Sequence, residues 1–306
     1  MEQASNVTAI TPPIEDKKYD EYRADIELLR SAISNREEGT VWLPNTKTPE
    51  QAADLLYIVS LTYNVNGLSP RLNIIKNPVD DGYGIELEYS LDAETMKRER
   101  EEVERFVDSL LQIYNTIEDA SCLAAQIALD VMVYAKNLFA DFPDPTLSQV
   151  QRAQTLEGVF IDHRACCLGI ARAYEMLCRR AGLECFIVYG NHQLPEANTA
   201  RARAEISNTI TPISPRYGNH VWNYLVVDGV GMYVDLTFTM TQPRRGADGD
   251  IFLPFALSKQ MLLDWGYQEV PGRPFPDAAM PENPRLHWIC LAPPREFISG
   301  SDDRSS

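Results

Sequence analysis

The sequence is poor in several residue classes, and each shortage excludes a kind of protein. It has six cysteines in 306 residues, none in C-x-x-C spacing, so neither a disulfide-stapled small domain nor a zinc ribbon or thioredoxin-type site is predicted. Positive charge is also scarce: 28 Lys and Arg against 44 Asp and Glu give a net charge of −16. Such a chain repels phosphate backbones and anionic lipids, so we expect neither nucleic acid nor membrane partners.

Long apolar runs are missing too. The most apolar stretch, residues 122–133, contains Gln126 and Asp130, so it predicts a buried helix and not a membrane span. The N-terminus has an early acid, Glu2, and lacks the basic and apolar regions of a secretory signal. The chain as given is therefore expected to be cytoplasmic, with export left open if its N-terminus is trimmed.

The residues that are present describe a globular chain with a buried core, since 44% of them are hydrophobic. Periodicity in the first part of the chain predicts helices over 19–34, 48–63 and 93–115. Two β-like runs, 72–75 and 85–89, flank a turn-rich segment and predict a hairpin. The N-terminal third is therefore expected to be a helix-hairpin-helix region.

Capping residues mark the start of the second predicted helix. Thr48 offers a hydroxyl cap, Pro49 suits the first helical position, and Gln51 stands three residues after the cap. A further helix is predicted from Asp119 to about Phe139, in a stretch that is apolar nearly all round. Both helices should bury apolar side chains.

A soft domain boundary is expected near Thr116. We expect a disordered segment over 1–17, an accessory domain over 18–116, a second and larger domain over 117–298, and a disordered tail over 299–306. The candidate catalytic residues lie in the larger domain.

A pair of cysteines stands at the start of a predicted helix in that domain. The apolar stripe after Cys167 and a glycine at Gly182, where a helix C′ residue belongs, place the helix start near Cys167. A thiol in the first turn faces unpaired amides and the positive end of the helix dipole, and both favour the thiolate that acyl transfer needs. Gly169 is expected to let a substrate or a facing strand approach closely.

A lone cysteine at a helix start is more often a small core residue than a nucleophile. The packing interpretation applies to four of the six: Cys122, Cys178, Cys185 and Cys290. A metal site drawn from the cysteines between 166 and 185 stays open as an alternative, although ligand spacing is lacking.

A histidine and an aspartate fall on one face of a predicted hairpin. Asp228-Gly229 is a typical two-residue turn between a strand that begins at His220 and a returning strand over 230–237. In that register Trp222 faces Asp235 and His220 faces Thr237, so His220 and Asp235 are diagonal neighbours. A carboxylate beside an imidazole fixes its tautomer and stabilises its charged form, as the third member of a catalytic triad does.

The other histidines, His163, His192 and His287, have no partner that the sequence places. A lone histidine is more often structural than catalytic. His163 lies close to the cysteine pair along the chain and is kept in reserve as a local alternative.

These motifs together resemble the transglutaminase-like superfamily of papain-type cysteine enzymes. Residues 167–171 resemble its nucleophile helix, of the form C-x-G-[YI]-A; residues 220–223 resemble its H-[AV]-W-N strand; and residues 233–238 resemble its Y-x-V-D-x-T-[WF] strand. The resemblance covers residues 119–240, and the preceding region looks like the helix-hairpin-helix part of bacterial members. It implies an α+β fold with a papain/transglutaminase-like core, in which the nucleophile helix packs on an antiparallel sheet.

The resemblance implies a role for each matching residue. Cys167 would be the nucleophile, His220 the general base and then acid, and Asp235 the residue that orients the imidazole. Alignment on Gly169 selects Cys167, while the adjacent Cys166 is a second thiol that could form a mixed or vicinal disulfide. The oxyanion hole would use the Cys167 amide and a further donor that the sequence does not place.

The expected function is thiol-dependent acyl transfer on an amide of a protein or peptide substrate, with hydrolysis favoured over cross-linking. No cofactor or metal is implied, and no acidic loop has the EF-hand spacing for calcium. The alternative is a non-catalytic binding or scaffold module on the same fold. A long segment over 190–218 either overhangs the cleft and selects substrate or is a surface excursion without a role.

Overall fold

The computed structural model describes residues 17–62, 65–68, 73–138, 145–192, 219–241, 244–245, 251–269, 275–278 and 288–291. Several predictions therefore lie outside the described residues, among them those for both termini, for most of the 190–218 segment and for His287. The described parts mix helices with mainly antiparallel sheets, as an α+β fold requires.

The N-terminal part consists of two helices and a three-stranded antiparallel sheet of order β1-β3-β2. Its elements are a 3₁₀ turn (Lys17–Tyr22), α1 (Arg23–Asn35), β1 (Gly39–Leu43), α2 (Pro49–Thr62), β2 (Asn73–Lys76) and β3 (Tyr83–Leu87). The predicted hairpin and both helices are confirmed with small shifts at their ends. Strand β1 was not predicted, because five residues bordered by charged and polar positions carry little periodicity.

Two capped helices follow, α3 (Ala93–Tyr114) and α4 (Ala120–Tyr134). The Asp92 carboxylate accepts the Thr95 amide and the Asp119 carboxylate accepts the Cys122 amide, so each helix start has its side-chain cap. Helix α4 ends at Tyr134, five residues before the predicted end at Phe139. The chain there enters the short strand β4 (Lys136–Asn137), which pairs with β5 (Arg164–Ala165) in parallel.

A five-stranded antiparallel sheet of order β11-β8-β7-β6-β12 forms the centre of the second part. Its strands are β6 (Glu184–His192), β7 (His220–Val227), β8 (Val230–Val234), β11 (Ala256–Leu257) and β12 (Tyr267–Gln268). The helices around it are α5 (Leu147–Arg152), α6 (Leu156–Phe160), α7 (Cys167–Arg180), α8 (Leu236–Thr241) and α9 (Lys259–Asp264). A smaller sheet contains β9 (Arg244–Arg245), β10 (Ile251–Pro254) and β13 (Trp288–Leu291).

The β7–β8 hairpin has the predicted register, with Asn223 opposite Val234 and a turn whose residues both have positive φ. Its returning strand is shorter than predicted. Strand β8 ends at Val234, and α8 begins two residues later, because the Asp235 carboxylate accepts the Phe238 amide at 2.9 Å and so caps a helix. The predicted pairing of His220 with Thr237 is therefore wrong.

The apolar core does not stop at residue 116. One buried cluster joins Val107 of α3 to Ile127 of α4 and Tyr174 of α7. A second joins Leu29 and other residues of the N-terminal part to Cys166. The domain boundaries stay a prediction, and the two parts share buried surface.

No helix in the described part of the chain is both long and apolar enough to cross a membrane.

Candidate active site

Helix α7 brings the cysteine pair to the β6–β7 region of the central sheet. Cys166 is the N-cap residue, and its amide donates to the Ala153 carbonyl at 3.0 Å, just beyond α5. A Cβ on Gly169 would lie 2.2 Å from the same carbonyl oxygen, so the glycine admits the end of α5. The expectation that Gly169 admits a substrate or a strand is therefore wrong.

The two thiols lie against each other, within reach of a hydrogen bond. Cys166 is buried and Cys167 is partly exposed. The hydrogen bond from the Cys167 thiol is the largest cause that lowers the pKa of Cys166 to about 7; burial opposes this, and the amides of Gly169 and Leu168 and the charge of Arg172 support it.

The same hydrogen bond between the two thiols raises the pKa of Cys167 well above its usual value. The hydrogen bond to Cys166 is the largest cause, followed by burial and by the negative charges of Cys166 and Asp235, while the Val221 amide acts to lower the pKa. The interaction thus favours a thiolate at Cys166 over one at Cys167. The Cys167 thiol lies beside the backbone amide of Val221, which is the residue that follows His220 in the chain.

Arg172 supplies a buried positive charge on the same helix. Its Nη1 donates to the Gln154 carbonyl at 2.6 Å, whereas Nε and Nη2 have no hydrogen-bond partner in the described part of the chain. Burial lowers the pKa of Arg172 to about 10, and the charge of Cys166 is the first of the causes that oppose this. The guanidinium thus favours the thiolate form of Cys166.

His220 and Asp235 form the contact that the hairpin register predicts. The distance between His220 Nε2 and Asp235 Oδ2 is 2.5 Å, and both side chains are 1% exposed. Burial acts to raise the pKa of Asp235, but the charge of His220 and hydrogen bonds from His220, Tyr267 and the Phe238 amide outweigh it and hold this pKa below its usual value. The carboxylate is therefore ionised at neutral pH.

The second ring nitrogen of His220, Nδ1, is buried and has no hydrogen-bond partner among the described residues. The structure thus joins His220 to Asp235, and it brings Cys167 beside Val221, but it forms no hydrogen bond between the Cys167 thiol and the imidazole. A ring whose Nε2 faces a carboxylate keeps Nδ1 available as the base.

Two residues that sequence reasoning missed complete the surroundings of this pair. The Tyr267 hydroxyl donates to Asp235 Oδ2 at 2.6 Å. The His192 ring stacks on the Tyr267 ring at 4.1 Å between centroids, and it lies 5.6 Å from the His220 ring. Neither position carries a sequence signal, because β12 has two residues and the segment between His192 and β7 has no periodicity that fixes a register.

His192 and His163 have different surroundings. Burial, and then the charge of His220, lower the pKa of His192, which favours its neutral ring. His163 is exposed, and its ring lies 5.8 Å from that of Tyr134. Within the described ranges, no three His, Cys, Asp or Glu side chains are grouped so that they could hold a metal ion.

Comparisons with known proteins found only distant structural similarity. No protein-family model matches the chain, and no curated protein does. A solved structure described as a TGase matches 66% of this chain at 10% identity with a TM-score of 0.34. A candidate protease from Parabacteroides distasonis matches 68% at 10% identity with a TM-score of 0.30. The matches span 51% and 42% of those two chains, and both concern the fold alone.

Proposed function

We propose that this protein is a thiol-dependent acyl transferase that acts on amide bonds. The observation that carries the proposal is the buried His220–Asp235 pair, whose Nδ1 has no hydrogen-bond partner among the described residues. The partly exposed thiol of Cys167 lies close by, beside the backbone amide of Val221. Cys167 is the nucleophile, His220 the general base and then acid, and Asp235 the orienting carboxylate.

The reaction follows from these roles. The Cys167 sulfur attacks the carbonyl carbon of the substrate amide while its proton passes to His220 Nδ1, and the imidazolium that forms is stabilised by Asp235. Collapse of the tetrahedral intermediate breaks the C–N bond, and His220 gives its proton to the leaving amine. The remaining thioester is then attacked by water or by a second amine, from which His220 again takes the proton. Collapse of this second intermediate breaks the C–S bond, and the departing Cys167 sulfur takes the proton back from His220.

The choice between water and amine separates a peptidase or amidase from a transglutaminase. We favour hydrolysis of a peptide or side-chain amide, because water is always available and an amine acceptor needs a site of its own. The substrate is a protein or peptide, and the 117–298 region is the catalytic domain. The 18–116 region is an accessory part, and its core packs behind Cys166 at the start of the nucleophile helix.

A second candidate function is a non-catalytic binding or scaffold module. The observation that favours it is the missing hydrogen bond between Cys167 and His220, together with the raised pKa of the Cys167 thiol. Such a module would keep the fold and have no reactive thiol.

Alkylation of Cys167 separates the two candidates. In a Cys166→Ala background, where the neighbouring thiol no longer raises the pKa of Cys167, we expect iodoacetamide to modify Cys167 faster than a free cysteine, in a pH-dependent reaction. Adding His220→Ala should slow the reaction to or below the free rate. Mass mapping of peptides assigns the modified sulfur, and Cys122, which is partly exposed on α4, is the internal control. Alkylation of Cys167 in Cys166→Ala that is no faster than that of free cysteine would exclude catalysis through Cys167.

Substrate class is then read from a panel of peptide, glutamine-donor and amine-acceptor substrates. Activity must disappear in Cys167→Ala and persist in Cys122→Ala. Product release from peptides without an added amine would assign hydrolysis, and products that form only with an amine would assign cross-linking.

A further inference from the structure

We propose that Tyr267 is a positioning residue for the His220–Asp235 pair, through a hydrogen bond from its hydroxyl to the carboxylate. The role rests on the proposed function, because it acts on the residue that orients the base. Nothing in the sequence motifs assigns Tyr267, which lies 32 residues after Asp235 on a two-residue strand.

The hydroxyl and the imidazole meet the same carboxylate oxygen. Tyr267 donates to Asp235 Oδ2 at 2.6 Å, and His220 Nε2 lies 2.5 Å from that oxygen. The other oxygen, Oδ1, accepts the Phe238 amide at 2.9 Å. Three groups therefore hold the carboxylate in one orientation, and the tyrosine is the one on the outer strand of the sheet.

The tyrosine is locked as a donor. Burial, then the charge of Asp235 and the hydrogen bond to it, raise the pKa of Tyr267 far above its usual value, so the phenol never ionises in the working range. Among the described residues, the imidazole N–H is the other donor within reach of Oδ2, beside the Tyr267 hydroxyl. This keeps Nε2 as the protonated nitrogen and Nδ1 as the free base.

The surrounding fold fixes the ring. Tyr267 pairs with His192 across β12 and β6, and the preceding Gly266 has φ of 85°, which lets the chain turn out of α9. His192 stacks on one ring face, and Trp222 meets the ring edge-on at 5.0 Å between centroids. The titratable groups that face the carboxylate are therefore His220, Tyr267 and, farther away, His192 and Cys167.

The test is the titration of Asp235 in variants that lack the catalytic thiol. In a Cys167→Ala background with ¹³C-labelled aspartate, Tyr267→Phe should raise the Asp235 midpoint, because a donor to the charged form is lost. Replacing Tyr267 by 3-fluorotyrosine, a stronger donor, should lower it. Opposite shifts from two rings of similar size would not arise from a packing role.

Tyr224→Phe is the matched control. Tyr224 lies in the same aromatic cluster, and its hydroxyl donates to the Asp277 carbonyl at 2.8 Å, away from the carboxylate. This variant should leave the Asp235 midpoint unchanged. An Asp235 midpoint that is the same in Tyr267→Phe, the fluorotyrosine protein and the parent would overturn the proposal.

The same variants in the active chain measure the effect on turnover. Tyr267→Phe should lower kcat about tenfold with little change in KM, and should move the acidic limb of the pH profile upward. If no substrate is turned over by the parent protein, the proposed function fails, and the Asp235 titration still decides the hydrogen-bond role.

Discussion

At the scale of single residues, the adjacent thiols are the least ordinary feature of the site. In a thiol–imidazole pair the nucleophile gives its proton to the histidine, whereas here Cys167 donates to Cys166. Cys166 is stabilised as a thiolate by nearby amides and by Arg172. Catalysis through Cys167 therefore requires that its proton leave the thiol pair for His220 when a substrate arrives.

Removing Cys166 should make Cys167 more acidic. Cys166 is the largest cause of the raised pKa of Cys167, so in Cys166→Ala the midpoint of the alkylation rate at Cys167 should move to lower pH. The measurement is the rate of iodoacetamide modification at Cys167 between about pH 5 and 10, followed by peptide mass mapping.

Cys178→Ala is the control for that experiment, because Cys178 is fully buried on α7 beside Tyr174 and Cys185. It should leave the Cys167 midpoint in place. A midpoint that does not move in Cys166→Ala, or that moves as far in Cys178→Ala, would contradict the role of Cys166 in raising the pKa of Cys167.

The part of the site that the sequence could predict is the part that local geometry fixes. The Asp228-Gly229 turn sets the register of its hairpin, which is why the contact of His220 with Asp235 could be derived. Tyr267 could not be found in this way, because its contact with Asp235 depends on the packing of a two-residue strand against the far edge of the sheet. The hydrogen bond between Cys166 and Cys167 could not be predicted either, because it depends on the side-chain rotamers, which the spacing of residues does not specify.

At the scale of elements, close packing at the start of α7 positions the thiols. Gly169 lies against the Ala153 carbonyl, which also accepts the Cys166 amide. The end of α5 thus fixes both the backbone before the helix and its first turn. Sequence periodicity predicted α7 well but gave no information about which element lies against its glycine.

Gly169→Ala should therefore damage stability and activity together. Its Cβ would lie 2.2 Å from a backbone oxygen that cannot move without breaking its bond to Cys166, so we expect a loss of about 2 kcal/mol or more in the free energy of unfolding. Urea denaturation measures this loss, and the alkylation rate at Cys167 reports the displacement of the thiol.

Arg179→Ala, on the exposed side of the same helix, is the comparison. Its ion pair with Glu175 is 63% exposed at the arginine, so the variant should change stability by less than about 0.5 kcal/mol. Equal losses in Gly169→Ala and Arg179→Ala would mean that the close approach of α5 is not a constraint.

At the scale of the whole molecule, an ion-pair network ties the predicted accessory region to the rest. Arg152, at the end of α5, bonds Glu99 of α3 at 2.6 Å and Asp162 at 2.7 Å. It also donates to Asn66 at 2.9 Å. The boundary near Thr116 was predicted from composition along the chain. Composition carries no information about contacts between residues 53 or 86 positions apart.

This network and the shared apolar clusters predict that the described parts unfold as one cooperative unit. Arg152→Ala leaves the largely buried Glu99 without its cation, so it should cost about 2 kcal/mol in the free energy of unfolding while keeping a single transition. Arg180→Ala, whose pairs with Glu104 and Asp108 on α3 are more exposed, should cost less than about 1 kcal/mol. Fluorescence and circular dichroism followed through the same urea titration measure both variants. Two separate transitions in the parent protein, or a 117–298 fragment that unfolds cooperatively at the urea midpoint of the full chain, would mean that the contacts across residue 116 do not stabilise the fold.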